Sequence, residues 1–141
     1  MPGDQGYCVN ERWIMKKKVN ERVVLVTGAN RGIGLEVCRQ MGRLGYRVLL
    51  TSRDVEKGKT ACQSLAAENL AIDFYPLDVT AEDSIQAVHT FVNQTYERLD
   101  ALVNNAAIHL DRDRSIASLS MDVLRQTMET NCFGPLLLCQ V

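Results

Sequence analysis

Residues 23–34 constrain the fold of this chain more than any other stretch. Val23-Val24-Leu25-Val26 is an unbroken aliphatic run that leads straight into Thr27-Gly28-Ala29-Asn30-Arg31-Gly32-Ile33-Gly34. A strand without polar alternation suits a sheet covered on both faces, as parallel sheets are. Glycines after such a strand let the chain turn tightly. They also let the backbone approach a ligand with no Cβ in the way, and let the next helix pack closely on the sheet. That helix then offers its N-terminal N–H groups and the positive end of its dipole to an anion, above all a pyrophosphate. A P-loop is excluded, because no Gly-Lys-Ser/Thr follows.

The rest of the chain alternates strand and helix patterns. Ile33, Val37, Met41 and Leu44 are spaced by four, four and three, which predicts a helix closed by Gly45. Arg47–Thr51 reads as a second buried strand. Asp54 is placed to cap a helix running to about Glu68, with Ala61, Cys62 and Leu65 inward. Ile72, Phe74 and Leu77 mark a third strand, broken near Pro76, and Phe74 and Tyr75 read as strand packing. Thr80 with Asp83 resembles a capping box that opens a helix carrying Ile85, Val88, Val92 and Tyr96. Ala101-Leu102-Val103 is a short fourth strand ending in Asn104-Asn105, and Asp111–Ser115 reads as a charged loop. Ser120 is placed to cap a last helical region holding Leu124 and Met128, with Met121 and Met128 as core or edge packing. Asn131, Gly134 and Pro135 are expected to bend that region, since proline removes a backbone donor. The alternation predicts an α/β, Rossmann-like doubly wound parallel sheet, truncated after about four strands.

Residues 1–22 hold no period of 2 or 3.6 and read as a flexible leader, with Met15 a candidate start, ahead of one domain over 23–141. Hydrophobic residues make up 46% and charged residues 23%, enough apolar material for a core. The balance of 16 Lys+Arg against 17 Asp+Glu argues against a nucleic-acid or membrane-surface partner. No apolar run approaches the ~20 residues that a bilayer span needs. Lys16–Lys18 are followed by Val19 and then polar Asn20 and Glu21, which disfavours a signal peptide and favours the cytoplasm. Cys8, Cys38, Cys62, Cys132 and Cys139 have no C-x-x-C spacing, so reduced, mostly buried thiols are expected. His89 and His109 have no partner at metal-ligand spacing, and no metal site is expected.

The spacing T-G-x-x-x-G-x-G resembles the glycine motif of the short-chain dehydrogenase/reductase family, and further landmarks follow in register. Ser52-Arg53 ends the second strand, and Asp78-Val79 follows the third. Asn104-Asn105-Ala106-Ala107 follows the fourth, where the family carries Asn-Asn-Ala-Gly, and Asn131 lies in the last helical region. Gly-Ala-Asn-Arg-Gly-Ile-Gly and Thr-Asn-Cys-Phe-Gly are most similar to the carbonyl-reductase-like branch. The resemblance implies that Gly28, Gly32 and Gly34 line the pyrophosphate and ribose, with Asn30, Arg31 and Ile33 presented by the same loop. It implies that Asp78 hydrogen-bonds the adenine amino group, that the Val79 backbone meets the ring, and that Asn104, Asn105 and Ala106 floor the site. Asn131 matches the family's catalytic asparagine, which helps hold a water in a proton relay. Ala107 departs from the usual glycine, and its methyl group is expected to crowd the cofactor slightly.

The second strand ends in Thr51-Ser52-Arg53, with no acid before Asp54. Guanidinium groups bind a 2′-phosphate through forked, charge-assisted hydrogen bonds, so Arg53 and Arg31 favour NADP(H) over NAD(H). Asp54 is the alternative, should a shifted loop bring it to the ribose. Family chemistry moves a hydride between nicotinamide and a small carbonyl or alcohol substrate, with Tyr-x-x-x-Lys as the acid/base pair. The residues four after Tyr7, Tyr46, Tyr75 and Tyr96 are Glu11, Leu50, Val79 and Asp100. The expectation is therefore the cofactor-binding, N-terminal part of a longer NADP(H)-dependent oxidoreductase, inactive alone. An inactive NADP(H)-binding module is the alternative. The resemblance also implies that the helix starting near Asn131 serves as an oligomer contact.

Overall fold

A computed structural model describes residues 6–8, 22–110 and 118–141. The charged stretch Asp111–Arg114 and the candidate start Met15 lie outside the described residues, as does most of the leader. The chain runs β1 (Val23–Val26), α1 (Gly32–Arg43), β2 (Arg47–Ser52), α2 (Val55–Ala66), β3 (Ile72–Pro76), α3 (Glu82–Thr95) and β4 (Ala101–Val103). After the second gap come α4 (Met121–Met128), a π-helical segment (Glu129–Phe133) and α5 (Gly134–Leu138).

The four strands form one sheet in the order β3-β2-β1-β4. All three pairings are parallel, with Leu25 beside Leu49 on one flank and beside Leu102 on the other. Alternate residues of each strand feed two separate cores, as the period of two requires. Val24, Val26, Val48, Leu50, Ile72 and Phe74 pack under α1 and α2 with Cys38, Cys62 and Leu65. Leu25 and Leu49 pack on the opposite face with Ile85, Val88, Val92 of α3 and Leu138 of α5. The continuous apolar runs of β1 and β2 follow from this two-sided burial.

The caps explain where the helices start. Asp54 Oδ1 accepts the Lys57 amide at 3.0 Å, so α2 begins as expected. Ser120 Oγ accepts the Val123 amide at 3.2 Å and opens α4. Thr80 does not cap α3. The first residue ahead of that helix is Ala81, without a side-chain cap. Thr80 instead donates its amide and hydroxyl to Asp78 Oδ1, at 2.9 and 2.7 Å.

Other local expectations give way to packing. In α1 the buried positions are Gly34 and Cys38, whereas Ile33 and Leu44 at its ends are exposed. Met121 and Met128 are exposed, because no residue of α4 is buried. Two cysteines, Cys38 and Cys62, are buried, while Cys132 and Cys139 are exposed and Cys8 is half-buried, so the thiols are not mostly buried. The bend at Asn131 takes the form of the π-helical segment. Gly6–Cys8, read as part of a flexible leader, departs from that reading, since Cys8 pairs antiparallel with Phe74 of β3.

Arg47 and Asp73 are both buried and satisfy each other. Arg47 donates from Nε and Nη2 to Asp73 at 2.6 and 3.0 Å, and the Tyr96 hydroxyl donates to Asp73 Oδ2 at 2.7 Å. Burial first, and then the Asp73 charge, push the Tyr96 phenol up, so it stays protonated as a donor. Among the described residues no buried side-chain nitrogen or oxygen lacks a partner.

Candidate functional site

Strands β1 and β4 lie side by side, but the chain visits β2 and β3 between them. The loops after β1 and β4 therefore diverge over the carboxyl end of the sheet, which is where open α/β sheets bind ligands. Thr27, almost fully buried, holds these two loops together. Its Oγ1 accepts the amides of Asn105 and Ala106 at 3.0 and 2.9 Å. Asn105 returns the contact, donating Nδ2 to the carbonyls of Thr27 at 2.9 Å and Gly28 at 3.0 Å. The turn is thus tied to the fourth strand's loop by main-chain and side-chain bonds together.

The three glycines do different work. Gly28 sits at φ +62°, and a Cβ there would stand 2.8 Å from Ala106 Cα, so it serves the close approach of the loops. Gly32 also has a positive φ, +60°, but a Cβ on it would meet nothing within 4 Å. Its open side faces the cleft. Gly34 is buried, and a Cβ there would lie 2.9 Å from Ala29 Cα. It seats α1 on the turn and does not line the cleft.

That cleft measures about 1000 Å³. Gly28, Asn30, Arg31, Gly32 and Ile33 form one wall. Arg53, Asp54 and Lys57 also line the cleft, as do Asp78 and Val79. Asn105, Ala106 and Ala107 complete it from β4. Eleven expected site residues are therefore brought together, and Gly34, Asn104 and Asn131 stand off the wall. The exposed Asn104 directs its Nδ2 toward Cys139 Sγ at 3.7 Å. Asn131, within the π-helical segment, donates Nδ2 to the Ile108 carbonyl and accepts the Ile108 amide at Oδ1, both at 2.9 Å. Its amide fastens the loop that leaves Ala107. Gly134 packs the same helix against Val79, whose carbonyl would lie 2.6 Å from a Cβ there.

Arg31, Arg53 and Lys57 stand against Asp54, Glu56 and Asp78 in the cleft, so it is the end of α1 and not an excess of charge that favours an anion. No side chain caps α1 and no acid stands in its first turn, whereas α2 and α4 have both and α3 carries two acids there. Its N-terminal donors and dipole are thus left to whatever occupies the cleft. Burial works to raise the Asp78 carboxyl, but hydrogen bonds from Thr80 and the Arg53 charge outweigh it and hold it below the ordinary value. Asp54 is committed elsewhere. Its Oδ1 caps α2, and its Oδ2 pairs with Lys57 Nζ at 2.7 Å. The Lys57 hydrogen bonds, side chain first and then backbone, hold that carboxyl below its ordinary value. A dinucleotide fits the make-up of this surface: an open glycine cradle for phosphate, with two guanidinium groups and a carboxylate among the lining residues. Among the described residues no cluster of three His, Cys, Asp or Glu is placed to hold a metal ion.

The family model for short chain dehydrogenase matches residues 22–141. The chain belongs to the short-chain dehydrogenase/reductase family. It is 42% identical to human carbonyl reductase (NADPH) 3 over 120 residues, which is 84% of this chain and 42% of that protein. It is 46% identical to (+)-neomenthol dehydrogenase of Arabidopsis thaliana over 91 residues, 62% of this chain and 31% of that protein. An actinorhodin polyketide ketoreductase with NADPH superposes with a TM-score of 0.81 at 32% identity, covering 86% of this chain and 46% of that one. The chain thus spans about two fifths of the length of the curated relatives it matches. Among the described residues no helix is long and apolar enough to cross a membrane.

The residue that sequence reasoning missed is Thr27. The motif contains it, but its partners lie 78 and 79 positions away. Only the adjacency of β1 and β4 brings them to its hydroxyl. Lys57 was missed for a similar reason, since α2 carries it back to the cleft one turn after Asp54.

Proposed function

We propose that this chain is the NADP(H)-binding part of a short-chain oxidoreductase that reduces a small carbonyl compound or oxidises the matching alcohol. The observation that carries this reading is that Arg31, Arg53 and Lys57 all line the cleft, while Asp54, the acid next to Arg53 in the chain, is engaged in capping α2 and pairing Lys57. A forked guanidinium suits the dianionic 2′-phosphate, and an engaged carboxylate leaves the ribose hydroxyls of NAD(H) without a strong acceptor. The relatives agree in kind, as carbonyl reductases (NADPH) and as structures with NADPH or NADP.

Within this reading each residue has a task. The Gly32 cradle and the α1 N-terminus hold the pyrophosphate. Asp78 Oδ2 accepts the adenine amino group, while Oδ1 stays bound to Thr80. Asn105 keeps the turn in shape, and Asn131 positions the Ile108 loop. Bound nicotinamide supplies the hydride. This chain contains no Tyr-x-x-x-Lys, so none of its residues is assigned the proton transfer. Assayed with NADPH and a small carbonyl compound, it is expected to bind nucleotide without turnover. Steady NADPH oxidation coupled to product would overturn that assignment.

Calorimetric titration of the chain with NADPH and NADH tests the cofactor reading, and NADPH is expected to bind more tightly. Arg53→Ala should cost NADPH about 1.5–3 kcal/mol, a loss of roughly ten- to a hundredfold, and leave NADH nearly unchanged. Equal losses for both cofactors would refute the role given to Arg53.

A further inference from the structure

Strand β3 lies at one edge of the sheet, and an edge strand presents a row of backbone groups that invites pairing with another chain. Gly6–Cys8 meets that edge. The Cys8 amide donates to the Phe74 carbonyl at 3.0 Å, and the Phe74 amide donates to the Cys8 carbonyl at 2.8 Å. This reciprocal exchange is the hydrogen-bonded pair of an antiparallel ladder.

The side chains flanking that pair are matched on both faces. Successive side chains of an extended segment point to opposite sides. Cys8 faces α2 and packs on the core cluster that holds Phe74 and Cys62. Burial first, and then the neighbouring Cys8, push the Cys62 thiol up to about 12. Tyr7 faces the other way, with its ring centroid 5.9 Å from Tyr75 and 5.4 Å from Phe91. Those two rings stand 4.6 Å apart, and Phe91 meets Tyr96 edge-on at 5.8 Å. Tyr7 thus ends an aromatic row that runs over β3 and α3. Gly6 takes φ +73°, a left-handed conformation open to glycine, and sits beside Val55 and Pro76. Backbone, both side chains and the turn residue all fit the same docked position.

We propose that Gly6–Cys8 is a docked cover strand that closes the β3 edge against pairing with a strand from a second copy of this chain. It occupies the Phe74 backbone groups that such a strand would need. The assignment depends on neither the cofactor nor the substrate and stands apart from the function proposed above.

Three measurements on the full chain test it. With the protein in its native state, the exposed Cys132 and Cys139 should be alkylated by iodoacetamide well before Cys8, as followed by peptide mass mapping. Equal rates at Cys8 and Cys139 would overturn the docking. Cys8→Pro removes the amide that bonds Phe74, so hydrogen exchange at Phe74 should accelerate about tenfold or more. The same variant should show a larger apparent mass than the parent in light scattering at equal concentration. Unchanged exchange or unchanged mass overturns the proposal. Tyr7→Ala leaves every backbone group in place and should move all three readouts in the same direction. It supplies the test if Cys8→Pro disrupts the fold, which far-UV circular dichroism reports.

Discussion

Gly32→Val is expected to reduce NADPH binding by about a thousandfold or more, roughly 4 kcal/mol, while the sheet remains folded. Two effects combine at this position. At φ +60° a side chain is strained, and a β-branched one more so, which costs about 1–2 kcal/mol of stability. The space a Cβ would enter is open in the protein, with no atom within 4 Å. In the proposed complex that space belongs to the pyrophosphate. The loss of affinity should therefore far exceed the loss of stability. Calorimetry and thermal unfolding on the same samples separate the two. An unchanged NADPH affinity would show that Gly32 serves the turn alone.

Thr27→Val is expected to destabilise the fold by about 2–5 kcal/mol. Valine matches the shape of threonine, so packing changes little. The hydroxyl that accepts the Asn105 and Ala106 amides at 3.0 and 2.9 Å is lost, however. Each orphaned amide costs about 1–3 kcal/mol when it lies away from water. Against a total stability of about 5–15 kcal/mol for a typical domain, this is a large share. Thr27→Ser keeps the acceptor and should recover most of the loss. Urea unfolding of the three proteins measures it, and a Thr27→Val midpoint within error of the parent would remove Thr27 from the site's framework.

The candidate site was legible in part because its central element is local. The β1 run, the glycine turn and the start of α1 are contiguous in sequence, so their geometry could be read there. Asp54 as the cap of α2 and Ser120 as the cap of α4 were legible for the same reason, since a cap reaches only two or three residues ahead. Thr80 obeyed the same local rule and still failed to cap α3. Asp78, two residues earlier, competes for both its amide and its hydroxyl. The exposed ends of α1, Ile33 and Leu44, failed for another reason. Spacing gives a helical face but not how far along the helix the sheet extends beneath it.

By itself the sequence determined the class of the fold and the chemistry at the mouth of the cleft. Apolar runs of three or four residues between helical patterns leave few options but a sheet buried on both faces. Glycine at a strand-to-helix turn follows from backbone sterics alone. Tertiary structure decided which loops meet. The order β3-β2-β1-β4 puts the loop after β4 beside the turn after β1, and so gives Thr27, Asn105 and Ala106 to one another. It gave Arg47 the carboxylate of Asp73 across neighbouring strands, and it gave Cys8 the free edge of β3. Asn131 found Ile108 through the packing of its helix on the Val79 wall. These partners stand 23 to 79 positions apart. Local propensity acts over a few residues, and contacts at that distance exist only once the strands have chosen their neighbours.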